Sequence, residues 1–199
     1  MLEKVKDILD LKNIPNEEIR TNVERIPWDH LFLLESIICS QRSHDAETQC
    51  GCVLTKDNTV ISTGYNGFIS DVDDNALPNR SKSKYDFMVH AEHNAILNCA
   101  KNGVRTTCAT AYVTAHPCNW CLQYLWQAGI SRIVHTDFSR PRMNDEEHAK
   151  KVKEVLFELM NPIVESNLGV RRIHRLSVDF IPLSKINLNI LDKINIRRE

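Results

Sequence analysis

Four residues of this 199-residue chain are the most obvious carriers of chemistry: His90 and Glu92 in "VHAEHNAILNCA" (89–100), and Cys118 and Cys121 in "HPCNWC". Titratable groups at the head of an otherwise apolar helix are costly near a core unless something pairs with them or binds them. A Cys-x-x-Cys spacing at a helix start puts both thiols where the positive end of the helix favours thiolates. Two thiolates and one imidazole make three zinc ligands and leave one tetrahedral position open, the arrangement of catalytic rather than structural zinc. Water bound there loses a proton near neutral pH and becomes a nucleophile. Glu92 need not touch the metal. It can take a proton from that water and pass it to a ring nitrogen and then to a leaving amine. On an ideal helix Glu92 lies about 200° around from His90. Both face one water only if His90 sits at the irregular start of the helix.

Each half of the set is ambiguous alone. A lone Cys-x-x-Cys fits a redox pair or half of a structural zinc site, and a lone His-x-Glu says little. Together, with Pro117 ahead of the first cysteine, they match the signature of zinc nucleobase deaminases. His93 falls one position off the metal face and is expected to meet solvent or an outer hydrogen bond. Asn94, at i+4 from His90, shares its face.

The elements that must position these residues can be read from the pattern. Residues 1–26 form a polar helical extension, with apolar residues at helical spacing (Leu2, Val5, Ile8, Leu9) and an Asn16 cap. "PWDHLFLLESIICSQRS" starts a longer helix, apolar on most of its circumference and therefore buried. "CGCVLT" and "TVISTG" are two strands joined at Lys56–Asp57–Asn58. Residues 67–88 form a long polar loop, and such loops are usually functional or disordered. The helix opened by His90 follows. "CATAYVT" and "SRIVHTD" are strands flanking a helix over "CNWCLQYLWQAG", with Gly129 at its stop. "DEEHAKKVKEVLFELM" is a periodic helix that Pro162 kinks or ends, and "VRRIHRL" is a fifth strand. The tail 181–199 fits neither period. The expectation is a three-layer α/β/α domain over 27–180, a mixed five-stranded sheet with helices on both faces.

Composition narrows the class. Hydrophobic residues at 42% support one domain with an extension. A net charge of −1 and the lack of an arginine-rich tract disfavour nucleic acid as partner. No apolar run approaches the roughly 20 residues of a membrane span, and "MLEKVKDILD" has no signal-peptide core. A cytoplasmic protein is expected. Its seven cysteines argue against a disulfide framework. Cys50 and Cys52 are expected to share one strand face in the core.

The chain resembles the deoxycytidylate (dCMP) deaminases of the cytidine deaminase superfamily over roughly 27–136. The stretches that carry the resemblance are "WDHLFLLESIICSQRS", "STGYNG", "DDNALPNRSKSKYDFMVHAEHNAI", "AYVTAHPCNWC" and "QAGISRIV". The insert ending "KYDFMVHAEHNAI" narrows it to the dCMP enzymes. The resemblance implies zinc on His90, Cys118 and Cys121, with Glu92 as proton shuttle and dUMP and ammonia as products. It implies that the backbone of Ala91 binds the base, that Asn66 and Asn94 hold the sugar or phosphate side, and that Arg42 and Ser43 are phosphate candidates. It also implies a homo-oligomer, hexameric in the family, activated by dCTP with Mg²⁺ and inhibited by dTTP. Asp71, Asp73, Asp74, Arg80, Lys82 and Lys84 are the natural effector residues. Two departures matter. No proline follows "GYNG", and the 67–88 insert has no Cys or His, so one zinc per chain is expected rather than two. Other readings are a deaminase of free cytidine or of tRNA adenosine, or a non-catalytic nucleotide sensor. The intact Glu92 speaks against the last.

Overall fold

The computed structural model describes residues 25–80, 82–139, 146–160 and 176–186. Strands β1 (Gly51–Lys56), β2 (Thr59–Tyr65), β3 (Thr110–Val113), β4 (Arg132–His135) and β5 (Ser177–Phe180) form one sheet in the order β2-β1-β3-β4-β5. The first three pair antiparallel; β3, β4 and β5 run parallel. Helices α1 (Trp28–Ser40), α2 (Ala91–Lys101), α3 (Asn119–Gln127) and α4 (Glu146–Met160) complete the described elements. This is the expected mixed sheet in a three-layer domain.

Strand alternation sorts the core into two halves, because successive side chains point to opposite faces. Val53, Tyr112 and Val134 pack with Phe32 and Leu33 of α1. Cys52, Leu54, Ala111, Val113 and Ile133 pack with Ala91 and Ala95 of α2 and with Leu122 and Leu125 of α3. Leu156 of α4 and Val178 of β5 join this second half. The β1–β2 hairpin turns where expected. Asp57 and Asn58 both have positive φ, 50° and 57°, as a two-residue turn that follows the sheet twist requires.

Two glycines set how close the helices come. A Cβ on Gly64 of β2 would collide with the carbonyl of Ala91 and the backbone nitrogen of Ala95. The first turns of α2 therefore rest directly on the strand backbone. On the other face, a Cβ on Gly51 would meet the Ser36 carbonyl. There α1 turns Ser36 and Ser40 inward, and their hydroxyls donate to the Leu33 and Ile37 carbonyls at 2.7 Å each. This refines the reading of α1 as apolar on most of its circumference and buried: the face against Gly51 takes small residues, while Ile38 is 65% exposed. Asp29 of α1 ties that layer to the sheet. It accepts two bonds from Arg132 of β4 at 2.8 and 2.9 Å and one from the Tyr112 hydroxyl. The Arg132 pair lowers the Asp29 pKa against the opposing effect of burial.

The fifth strand also lies elsewhere than expected, at Ser177–Phe180 rather than 170–176. Leu176 immediately precedes it and is buried; 170–175 fall outside the described residues. "SVDF" directs Val178 and the half-exposed Phe180 toward the α4 side, too few buried apolar positions to show a strand period. The helices read in 1–24, Pro162 and the tail from 187 also lie outside the described residues. Of 181–186, Leu183–Lys185 make a 3₁₀ turn and Ile186 is buried against the α1 side.

Gly64→Ala places a methyl against backbone that cannot rotate away. The expected loss is about 1–3 kcal/mol, the usual cost of overpacking, read as a lower urea midpoint with an unchanged slope.

Candidate active site

The site is made where two helices begin. His90 is the N-cap of α2, with extended backbone at φ −69° and ψ 155°. Cys118 is the N-cap of α3, at φ −71° and ψ 169°. The irregular start that His90 needs is therefore present, and Glu92, in the first turn of α2, lines the same cavity. Cys121, in the first turn of α3, is buried.

The Nδ1 of His90 lies 3.6 Å from the Cys118 sulfur and 3.3 Å from the Cys121 sulfur. The three donor atoms all fall within 4.8 Å of one another. A tetrahedral zinc with S and N ligands at their usual bond lengths separates such donors by about 3.6 Å. The set fits zinc on its chemistry as well. The hydrogen bond from Cys121 is the largest influence on Cys118 and, with His90 assisting against burial, brings its thiol down to about 3. The same bond, together with burial, drives the Cys121 pKa far up. Two sulfurs this close hold one negative charge between them; a cation is what lets both ionise. Among the described residues this is the one cluster of His, Cys, Asp or Glu side chains able to hold a metal.

Glu92 is 6% exposed. Burial raises its pKa, and the charge of His90 only partly opposes this. A buried carboxyl beside the metal ligands is placed to accept and return a proton. It faces a cavity of about 180 Å³ whose walls include His90, Ala91, Cys118, Asn66, His116 and Tyr85. Cys50, ahead of β1, also lines it and packs against the same half of the core as Cys52, as expected. Burial is the main reason the Cys50 thiol is pushed up to about 12.

The other sequence candidates separate. Asn66 lines the cavity, but its amide is engaged. Its Nδ2 donates to Asp45 at 3.0 Å and to the Thr48 carbonyl at 2.9 Å, and its Oδ1 accepts from the Cys50 N–H at 2.7 Å. Toward a ligand it retains one acceptor lone pair. Asn94 donates to the Tyr65 carbonyl at 2.7 Å and so helps fasten α2 to β2. Ser43 is buried and accepts from the Asp45 N–H. Arg42 is exposed, 6.0 Å from the Tyr65 ring centre. His93 packs edge-on against Tyr124 at 4.2 Å, and its Nε2 is buried with no partner.

The insert divides as well. Asp71, Asp73, Arg80 and Lys82 are exposed; Asp73 caps its own turn through the Asn75 N–H, and Asp74 pairs with His44 at 3.1 Å. Arg80 and Asp74 border an open hollow apart from the cavity. Lys84 is different. Only 1% exposed, it lines the active cavity and pairs with Asp45 at 2.7 Å and Glu47 at 3.2 Å. Burial alone would lower its pKa, but the bonds to Asp45 and Glu47 outweigh that and hold it above the ordinary lysine range. Asp45 and Glu47 were missed in the sequence. The available signal was the Asx turn in "HDAET", where Asp45 also accepts the Glu47 and Thr48 N–H groups.

A buried carboxylate beside an open three-donor metal set is the arrangement of a metal-dependent hydrolytic centre. Comparison with known proteins gives the class its family. Residues 26–136 match the cytidine and deoxycytidylate deaminase zinc-binding region, and the chain belongs to this family of zinc-dependent deaminases. The human deoxycytidylate deaminase is 31% identical over 141 residues, 67% of this chain and 76% of that protein. A probable deoxycytidylate deaminase of Caenorhabditis elegans is 41% identical over 107 residues, 51% of this chain and 53% of that protein. A dCMP deaminase from the cyanophage S-TIM5, solved in complex with dCMP and dUMP, shares the fold. Its TM-score is 0.57 at 20% identity, covering 76% of this chain and 94% of that chain.

Two outcomes are expected. Purified protein carries one zinc per chain by plasma mass spectrometry, and Cys121→Ser loses most of it. Lys84→Met takes the cation away from the buried carboxylate of Asp45 and costs about 3–5 kcal/mol in denaturant. With the lysine pKa raised on folding, this stabilisation is full below the unfolded value of about 10.4 and fades as pH rises through the folded one. The gap between wild type and Lys84→Met is therefore expected to close on the alkaline side.

Proposed function

We propose that this chain deaminates dCMP hydrolytically to dUMP and ammonia, supplying dUMP for thymidylate synthesis. The observation that carries the reading is Glu92, buried and held above its ordinary pKa in the cavity that His90 and Cys118 share. Zinc bound by His90, Cys118 and Cys121 would supply the Lewis acidity that makes water a nucleophile near neutral pH. Glu92 takes one proton of the attacking water and delivers it to N3 of the cytosine; it then takes the second from the new hydroxyl at C4 and passes it to the amine, which leaves as ammonia as the C4 carbonyl forms. Ala91, buried at the head of α2, offers its backbone to the base edge. Asn66, with only an acceptor left, suits the hydroxyl of the deoxyribose. The cavity's partly apolar walls, Met88 and Val113 among them, exclude bulk water around the ring. The choice of dCMP is supported by the naming of the human and nematode relatives and by the insert that ends at His90.

The same reading includes activation by dCTP with Mg²⁺, inhibition by dTTP, a homo-oligomer and a cytoplasmic setting, all supported by the family resemblance. Among the described residues no helix is long and apolar enough to cross a membrane.

The test is the loss of ultraviolet absorbance of dCMP with zinc-loaded protein, with and without dCTP and Mg²⁺. Turnover that rises with dCTP is expected. Turnover of tRNA or free cytidine with none of dCMP overturns the substrate. Glu92→Gln is expected to keep its zinc and lose about 10²–10⁴-fold in kcat; full activity in that variant overturns the proton-shuttle role.

A further inference from the structure

A nucleoside monophosphate brings a dianion to the cavity, and the charges around that cavity are unevenly placed. On the β1 side the Lys84 ammonium is already engaged by two carboxylates, Asp45 and Glu47. A phosphate is disfavoured there. Arg42 is exposed over Tyr65; like Lys153 it is not itself among the cavity-lining residues, but Lys153 bonds to one that is.

On the opposite wall His116 lines the cavity, and Lys153 of α4 reaches its ring, with Nζ 3.1 Å from Nδ1. An ammonium only donates, so Nδ1 accepts and the ring proton belongs on Nε2. The 2.9 Å approach of Nδ1 to the Pro117 carbonyl is then a contact and not a second hydrogen bond. His135 backs the pair, its ring 4.6 Å from His116 and 5.1 Å from Phe180. Among the described residues no carboxylate forms an ion pair with Lys153. An ammonium held against an imidazole, with N–H groups to spare, is a donor set for an anion.

We propose that Lys153 and His116 form the phosphate-recognising corner of the cavity. Lys153 uses one N–H on His116 and presents the others, together with the His116 Nε2–H, to the phosphate oxygens of the substrate. Helix α4 thereby sets the preference for a nucleotide over a nucleoside. This rests on the monophosphate reading given above, and it assigns that recognition to a residue outside the family-matched stretch 26–136.

The experiment compares wild type, Lys153→Met and Lys153→Arg in steady-state assays with dCMP and with deoxycytidine, which lacks the phosphate. Zinc content and thermal midpoint confirm folding. The expected result for Lys153→Met is a fall of about 10- to 100-fold in the ratio of kcat/KM for dCMP over deoxycytidine, the scale of a lost charge-assisted bond. The fall is expected mainly in KM, with much of it restored in Lys153→Arg. An unchanged ratio overturns the proposal, as does a parallel fall on both substrates, which marks a structural role. A wild type that handles deoxycytidine as well as dCMP overturns the monophosphate reading and the proposal with it. Should neither substrate turn over, calorimetric binding of dUMP against deoxyuridine decides: equal affinity of wild type and Lys153→Met for dUMP overturns the proposal.

Discussion

Two helices in this protein begin almost at the same point, and the rest of the site depends on that convergence. Helix N-termini carry partial positive charge and unpaired N–H groups, so bringing two together is unfavourable unless negative charge lies between them. Cys118, Cys121 and Glu92 supply it. The same residues that make the convergence tolerable make it chemically useful. Thiolates are stabilised there, and a carboxyl is kept out of water. Both ligands that cap a helix do so with extended backbone, which turns their side chains away from the helix axis and toward each other.

The sheet enforces the convergence. Strands β1 and β3 form its middle, and α2 and α3 lie side by side over one face, packed on Cys52, Leu54, Ala111 and Val113. Gly64 lets α2 down onto the backbone of β2, and Asn94 and Asn98 then donate to the Tyr65 and Thr63 carbonyls. The head of α2 is thus fixed by backbone contact and amide hydrogen bonds, not only by apolar packing. A zinc site tolerates little wandering of its ligands, and such contacts leave little room for it.

Much of this could be read in the sequence. His90, Cys118 and Cys121 were legible because metal chemistry restricts both residue type and spacing, and His-x-Glu with Pro-Cys-x-x-Cys satisfies both. The need for His90 to precede the helix followed from angular geometry alone. The hairpin turn at Asp57–Asn58 was legible because few residues accept positive φ. What stayed hidden depended on contacts between distant segments. Position 36 could not be known to face Gly51, so the small-residue face of α1 was not read. β5 has too short an inward face to show a period. Lys84 read as one more charge in a polar insert, because nothing local in "SKSKYD" reveals that Asp45 and Glu47 wait 39 and 37 positions earlier. Lys153 likewise reads as one of several lysines on the polar face of a helix.

The burial of Lys84 changes what the 67–88 segment is. An insert of this length and polarity looks separable, a surface feature that could be trimmed or exchanged between relatives. Here one of its side chains is the keystone of the cavity's β1 side. Lys84 holds Asp45, Asp45 holds Asn66, and Asn66 holds the start of β1 through Cys50. The segment and the substrate cavity therefore form one mechanical unit. A transplanted insert would have to bring its own cation to the same spot, and a strain introduced anywhere along the segment has a direct route to Asn66 in the cavity wall.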